Sequence, residues 1–394
     1  MTYSAHSMGM PGRRPVSVAI YLHDLTGGGV ERQNMALAVE FMRMGLDITV
    51  VLHRRRGALA DCVPPGIRLV ELNRNRTLED IPALAGYMRR HRPDILLANF
   101  DYNNIAALMA KALAASRTQV VICQHNTLTP DAAVWRERTY RFITPAYRLL
   151  SPFLGRAIAV SHGVARELET LAHLPTRKIV TIHNPVIGDD FAERSAAEVD
   201  HPWFHDQEMR ARGGRVFVTA GRMVPQKDHV TLLRAFALHR QRVPSRLLML
   251  GAGEMHDELV ALTHELGLDD AVAFLGFQNN PLPWFRRADA FVLSSRFEGF
   301  GNVLVEAMAC GTAVISTDCQ HGPSEILDDG RFGTLVPPED PAALAAAMDS
   351  LDTLLARCPP DMLRARGASF SKLACAQRYR EVFDSLLADR RVNA

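Results

Sequence analysis

The chain has 394 residues, 47% of them hydrophobic and 22% charged, with a formal net charge of +2. This is ordinary globular material, long enough for two domains of common size, and so small a net charge gives no case for nucleic acid as a partner. The charge is uneven: residues 1–190 carry 23 Lys and Arg against 16 Asp and Glu, or +7, which leaves 22 against 27, or −5, for the remainder. The N-terminal half therefore favours an anionic surface or acceptor.

Cys62, Cys123, Cys310, Cys319, Cys358 and Cys375 are scattered without a C-x-x-C pair, and several sit in apolar runs, the pattern of reduced thiols. The opening MTYSAHSMGMPGRRP has no apolar h-region, and no run approaches the ~18 apolar residues of a membrane span. These features predict a cytoplasmic protein.

In chain order, Val16 to His23 is a buried-strand candidate, followed by Thr26, Gly27, Gly28 and Gly29 and a helix from Val30 to about Met44. Glycines there let a ligand approach the backbone at a helix start, although a plain tight turn gives the same pattern. Strands at Ile48 to Leu52, Ile67 to Leu72, Ile95 to Ala98 and Gln119 to Cys123 alternate with helices at Leu84 to Arg90 and Ile105 to Ala114, which predicts a parallel sheet covered on both faces. Gln124, His125 and Asn126 stand at the carboxyl end of the last strand, the edge at which open α/β sheets bind ligands. Between Trp135 and Arg156, Arg136, Arg138, Arg141, Arg148 and Arg156 interleave with Trp135, Tyr140, Phe142, Tyr147 and Phe153. That mixture suits an anionic membrane surface, or equally a helix pair that packs its aromatics inward. Ala157 to Glu167 is again strand, polar turn and helix, with Ser161 placed to cap and His162 beside it.

After a strand at Ile179 to Ile182, Gly188 to Gly214 is polar, acidic and without clear period. It divides the chain into a domain of residues 1–190, a linker of 191–214 and a domain of 215–372, with a last helix over about 373–394. The second unit opens with a strand at Val216 to Ala220, then Gly221, Arg222 and Lys227 before a helix from His229 to Arg242. The chain has only four lysines (Lys111, Lys178, Lys227, Lys372) against 41 arginines, so Lys227 hints at a place for a compact ammonium. Strand Leu247 to Gly251, helix Glu258 to Leu266, strand Val272 to Leu275 with Gly276 and Phe277, strand Ala290 to Ser295, strand Ala313 to Ser316, the HGPSEIL turn and a helix from Ala342 to Leu355 follow.

The densest stretch is SSRFEGFGNVLVEAMACGT, residues 294–312. It joins a strand to the turn Glu298, Gly299, Phe300, Gly301 and to a helix that Asn302 is expected to cap. The free amides of Val303 and Leu304 at its start would favour a phosphate. Glu298 on the loop and Glu306 about one turn into the helix would serve different ends of one ligand.

This stretch resembles family 4 retaining glycosyltransferases, with Glu298 and Glu306 as the two acids of the E-x7-E motif; relatives often carry Pro at the place of Gly301. Gly28, Gly29, Glu31 and Arg32 resemble the family's N-terminal glycine loop, His125 stands where the family puts a histidine beside the donor sugar, and Gly221, Arg222 and Lys227 match its G-R-x-x-x-x-K. The resemblance covers most of the chain and is most specific over residues 216–330. It implies an α/β protein of GT-B fold, two Rossmann-like parallel-sheet domains facing each other across a cleft, with the last helix crossing back onto the first domain.

The resemblance also implies roles. Arg222 and Lys227 would bracket the diphosphate of a nucleotide sugar, neutralising charge that grows on the leaving group. Glu298 would bind the donor sugar, Glu306 the ribose, and the segment from Phe277 the base. The sequence has no Asp-x-Asp and no His/Cys cluster of ligand spacing, so helix amides and the two cations are expected to act without metal or other cofactor. Retention would ordinarily suggest a carboxylate nucleophile; the family instead uses front-face attack, with the leaving phosphate taking the acceptor proton. The likeness is to the bacterial envelope branch, which implies a UDP-sugar donor, a lipid-linked saccharide, lipopolysaccharide or exopolysaccharide acceptor, and a place at the inner face of the cytoplasmic membrane. A GDP-mannose-dependent enzyme, a UDP-sugar epimerase on the same fold and a non-catalytic nucleotide-sugar binder are the alternatives.

Overall fold

The computed structural model describes residues 14–26, 28–74, 76–128 and 142–392. Strands β1 (Ser17–Leu22), β2 (Asp47–Leu52), β3 (Arg68–Glu71), β4 (Ile95–Asn99), β5 (Gln119–Gln124), β6 (Arg156–Ala159) and β7 (Ile179–Thr181) form a parallel sheet in the order β3-β2-β1-β4-β5-β6-β7. Strands β8 (Val216–Ala220), β9 (Arg246–Leu250), β10 (Val272–Gly276), β11 (Ala290–Leu293), β12 (Ala313–Thr317) and β13 (Thr334–Val336) form a second, in the order β10-β9-β8-β11-β12-β13. The central runs ILLAN in β4 and AVIST in β12 are buried along their whole length, as strands covered by helices on both faces must be.

The same reversal of order occurs in each sheet, between β1 and β4 and between β8 and β11. A crevice opens there beyond the carboxyl ends of the strands, because the crossover helices leave in opposite directions. The two crevices face each other, which is the GT-B arrangement.

The first sheet is covered by α1 (Gly29–Arg43), α2 (Thr77–His91), α3 (Asp101–Ala114), α4 (Ile143–Leu150) and α5 (His162–Thr170). Two short helices, α6 (Phe191–Ala196) and α7 (Gln207–Ala211), occupy the stretch whose polarity predicted an irregular linker. The apolar side chains of this stretch are few but well placed: Met209 on α7 is buried, and Phe204, in the turn before it, lies under Arg287. The second sheet carries α8 (His229–Arg240), α9 (His256–Glu265), α10 (Leu282–Arg287), α11 (Asn302–Ala309), α12 (Pro323–Leu327), α13 (Pro341–Asp349), α14 (Leu351–Arg357) and α15 (Pro360–Ala368). The helix expected over 342–355 is broken at Ser350, whose hydroxyl turns back to the carbonyl of Ala346. The HGPSEIL segment, expected as a turn, contains α12.

The last helix, α16 (Lys372–Val392), lies against α1, with Phe41 packed on the rings of Tyr379 and Phe383. The chain crosses back at a bridge between Ile187 and Ser371, where the amides of Val186 and Ile187 donate to the Phe370 carbonyl. Cys62 is exposed, the other five cysteines are buried, and all six are unpaired.

Of the arginine-and-aromatic segment, Trp135, Arg136, Arg138, Tyr140 and Arg141 lie outside the described residues. In its described part Tyr147 is fully buried, bonded to Asn104 and Gln124, while Phe142, Arg148 and Phe153 are exposed. One aromatic thus packs inward and two face out. No helix among the described residues is long and apolar enough to cross a membrane.

Candidate active site

A cavity of about 620 Å³ lies between the carboxyl edges of the two sheets. Gly29, Gln33 and His125 line it from the first half, and Arg222, Lys227, Phe277, Glu298, Gly299, Phe300, Gly301, Asn302, Val303 and Glu306 from the second. Residues more than 270 positions apart thus meet at one opening. Gly28 stands one residue outside this wall, as the N-cap of α1. Leu304 does not belong to the wall: its side chain is fully buried and its amide donates to the Gly301 carbonyl at 2.9 Å. The expected pair of free amides is corrected accordingly, because the first turn of α11 closes on itself.

The capping residue is also different. Gly301, at φ 99°, is the N-cap of α11, and Asn302 is its first helical residue, whose side-chain oxygen accepts from Asn184 at 2.9 Å across the cleft. A left-handed residue is needed to turn from the loop into the helix, and glycine takes that conformation at least cost. Proline, fixed near φ −65°, cannot follow this path. Phe277 is 71% exposed at the cavity mouth and is not a core residue.

The wall from the second half is rigidly built. Lys227 Nζ lies 2.5 Å from Glu298 Oε1, and the Ser295 hydroxyl donates to the same oxygen at 2.7 Å. Both charges are largely buried. Around them Gln226 Nε2 donates to the Phe297 carbonyl, the Arg296 amide to the Gln226 carbonyl, and the Ser294 hydroxyl to the Lys227 carbonyl. Asp228, in left-handed conformation, ends this turn and caps α8 through the Thr231 amide. Removing one partner of so buried a pair would strand the other charge, whose burial is then uncompensated.

At Gly299 the halves touch backbone to backbone: a Cβ there would sit 1.9 Å from the His125 carbonyl oxygen. His125 Nε2 is 2.9 Å from Asn99 Oδ1, which also accepts from Asn34 at 3.0 Å. Two donors on one oxygen make Nε2 the protonated nitrogen. Burial pushes the imidazole down to about 4, so it is neutral at pH 7. Its Nδ1 lone pair and Gln33 Oε1 are both buried without a hydrogen-bond partner among the described residues. Unsatisfied groups cost about 1–3 kcal/mol each unless water or a ligand meets them.

Glu306 has its carboxyl pushed up to about 7 by burial, with Arg194, Arg32 and Lys372 pulling it back. All four line a smaller adjoining cavity of about 280 Å³. Gln33, Asn34, Asn99 and Asn184 were not singled out from the sequence. Asn34 carried a signal: it falls on the α1 stripe of Leu37, Ala38 and Phe41, where an apolar residue is expected.

The halves are also tied behind the cavity. The Glu325 carboxylate accepts from the amides of His162 and Gly163 at 2.8 and 3.0 Å, capping α5 from the other half, and lies 3.2 Å from His183 Nε2. Ser161 caps the same helix through the Val164 amide. Ligand atoms of His162, His183 and Glu325 lie within 4.8 Å of one another, the spacing of a metal site, but the carboxylate is already engaged by two amides.

The sequence model of the family described as Glycosyltransferase Family 4 matches residues 27–187, and that described as Glycosyl transferases group 1 matches residues 214–353. The chain is a family 4 glycosyltransferase. Over 372 residues, 91% of the chain and 97% of the relative, it is 25% identical to the N-acetylgalactosamine-N,N'-diacetylbacillosaminyl-diphospho-undecaprenol 4-alpha-N-acetylgalactosaminyltransferase of Campylobacter jejuni. It is 37% identical over 137 residues, 34% of the chain and 39% of the relative, to the lipopolysaccharide core biosynthesis glycosyltransferase LpsE of Rhizobium meliloti. Among solved structures, HepE of Anabaena in complex with UDP superposes with a TM-score of 0.74 at 21% identity, covering 94% of this glycosyltransferase and 99% of HepE. The lipopolysaccharide outer core galactosyltransferase WaaB superposes with a TM-score of 0.72 at 19% identity, covering 94% and 99%. These last two likenesses establish the GT-B fold.

Proposed function

We propose that this glycosyltransferase transfers a hexosyl group from a UDP-sugar to a lipid-linked saccharide, lipopolysaccharide or exopolysaccharide acceptor at an anionic membrane surface, with retention and without a metal ion. The observation that carries it is the Lys227–Glu298 pair, held by Ser295 at the start of α11 and facing His125 across one cavity.

A diphosphate entering beside Arg222 competes for the Lys227 ammonium, since its oxygens carry more charge than one carboxylate. As Lys227 turns to it, Glu298 is released to accept hydroxyls of the donor sugar. Breaking the sugar–phosphate bond spreads positive charge over the sugar and adds negative charge to the leaving oxygen. Arg222, Lys227 and the amides at the mouth of α11 stabilise the latter more than the ground state, which is how binding becomes rate. The diphosphate oxygen takes the acceptor proton on the face it leaves. His125, neutral and protonated on Nε2, offers Nδ1 as acceptor to a sugar hydroxyl. Glu306 accepts from the ribose hydroxyls.

Two names support the choice of substrates: HepE is solved with UDP and glucose, and the Campylobacter relative acts on a diphospho-undecaprenol-linked sugar. The test is a panel of UDP- and GDP-sugars, reading the melting temperature, because a specific ligand stabilises the folded state, and then the product. A UDP-sugar that raises it and yields a product of unchanged anomeric configuration supports the proposal. A GDP-sugar alone, an isomerised donor, or an inverted product overturns it.

A further inference from the structure

Behind the catalytic cavity two histidines of the first half meet one carboxylate of the second. His162 opens α5, His183 follows β7 by two residues, and Glu325 lies on α12. Their ligand atoms all fall within 4.8 Å of one another, and among the described residues no other three His, Cys, Asp or Glu side chains come together in this way. The two rings stand edge to face, 5.8 Å apart. An ion pair needs only one histidine; here a second, from a different element and exposed to solvent, is brought to the same carboxylate.

The spacing suits a small tetrahedral ion. Zinc holds nitrogen and carboxylate oxygen at about 2.0–2.2 Å, so two ligands of one tetrahedral zinc stand about 3.4 Å apart. His183 Nε2 and Glu325 Oε2 are 3.2 Å apart. The carboxylate is engaged without being used up. Oε1 accepts the Gly163 amide and Oε2 the His162 amide, one each, and an oxygen with two lone pairs keeps one for an ion. The amides then act as the outer hydrogen bonds that orient a metal-binding carboxylate. His183 is held by stacking on Phe300 at 5.1 Å and by the Phe370 ring at 5.7 Å. His162 is exposed, so it can turn onto an ion that enters from solvent. Two imidazoles and one carboxylate are a zinc set that leaves the fourth position to water, whereas magnesium and calcium prefer oxygen throughout.

We propose that His162, His183 and Glu325 bind one zinc ion across the two halves. Phe300 lines the catalytic cavity, and Asn184, the residue after His183, reaches across the cleft to Asn302. The bound ion therefore holds the walls at one spacing and slows product release, which requires the halves to part. It takes no part in sugar transfer. Its effect on turnover rests on the proposed function; its binding does not.

The test uses the full chain, stripped of metal by a chelator, with Zn²⁺ and Co²⁺ as probes and Mg²⁺ as control. Zn²⁺ should raise the melting temperature, and Co²⁺ should give the strong visible band of a tetrahedral site. His162→Ala removes an exposed ligand, and His183→Phe removes another while keeping a ring on Phe300. Each should weaken zinc binding about 100-fold or more, since loss of even an outer support costs up to that much, and should abolish the cobalt band with circular dichroism unchanged. Glu325→Ala, which removes the ligand of the second half, should do the same. In transfer assays Zn²⁺ should slow the wild type severalfold and not His162→Ala. Equal zinc shifts in wild type and the histidine variants, a weak octahedral cobalt spectrum, or an equal response to Mg²⁺ overturns the site. Zinc bound as tightly without Glu325 overturns its spanning the halves, and an unchanged wild-type transfer rate overturns the effect on release. The thermal and cobalt readouts need no substrate, so a chain that passes them and transfers no sugar overturns the proposed function alone.

Discussion

The two walls of the catalytic cavity are built by opposite means. On the second-half wall, Lys227, Ser295 and Glu298 satisfy one another, and three further hydrogen bonds stitch their two loops together. On the first-half wall, His125 Nδ1 and Gln33 Oε1 are buried without partners among the described residues, and a single oxygen of Asn99 serves two donors. One wall has its hydrogen bonds satisfied without substrate; the other keeps two buried acceptors that a bound sugar would meet under the proposed function. In the proposed reaction charge would develop at the second-half wall, where a preorganised field is worth most, whereas the first-half wall would need only to recognise hydroxyls.

Breaking the complete wall should have the largest effect. Lys227→Ala and Glu298→Ala are each expected to lower kcat by roughly 10²–10³, the scale of a lost transition-state stabiliser, with the chain still folded by circular dichroism. The double variant should lose little more than either single one, since the residues act as a unit. Near-normal turnover by either single variant would remove the pair from the mechanism.

Joining the walls wrongly comes next. In Gly299→Ala the new methyl would meet the His125 carbonyl oxygen at 1.9 Å, so the halves must separate. A displacement of about 1 Å costs on the order of 10²-fold in rate, while the melting temperature should fall only slightly because each sheet keeps its own core. A variant as active as the parent would mean that the halves meet elsewhere during catalysis. On the incomplete wall, His125→Ala should cost about tenfold in kcat/KM, the scale of one or two neutral hydrogen bonds. Asn99→Ala frees Nε2 and should shift the pH profile rather than abolish activity.

The same contrast decides what the sequence discloses. Residues 294–306 are contiguous, so strand, turn, acids and helix start stand together and their chemistry is visible without a fold. The alternation of apolar runs with turns gave both sheets for the same reason: burial of a parallel strand is a local pattern. Asn34 on α1 and Asn99 on β4 meet only when the first half folds, and Asn184 meets Asn302 only once the halves face each other; Asn99 and Asn184 alone are unremarkable polar residues. Two errors have local causes. Asn302 has the chemistry of a cap, but the positive φ required one position earlier selected Gly301. The helices α6, α7, α10 and α15 are five to nine residues long, too short for a periodic signal, and are held by packing.

The smallest effect tests the boundary between the two cavities. Burial raises the Glu306 carboxyl to about 7, so the ligand-free native state holds a proton that the unfolded chain has already lost between the ordinary glutamate range and pH 7. In that window the native state binds more protons, and stability falls as pH rises; above it, ionised Glu306 is a buried charge relieved only by Arg32, Arg194 and Lys372. Glu306→Gln should therefore raise the melting temperature relative to wild type at pH 8 and leave it nearly unchanged at pH 5. Donor binding runs the other way, because the ionised carboxylate is the stronger acceptor for the ribose hydroxyls. Wild-type affinity should rise roughly fivefold from pH 6 to pH 8, about 1 kcal/mol, and Glu306→Gln should show no such rise. If donor binding in wild type is flat across pH 7 while the stability difference appears, Glu306 titrates but does not hold the ribose, and its partners in the adjoining cavity are there to manage its charge alone.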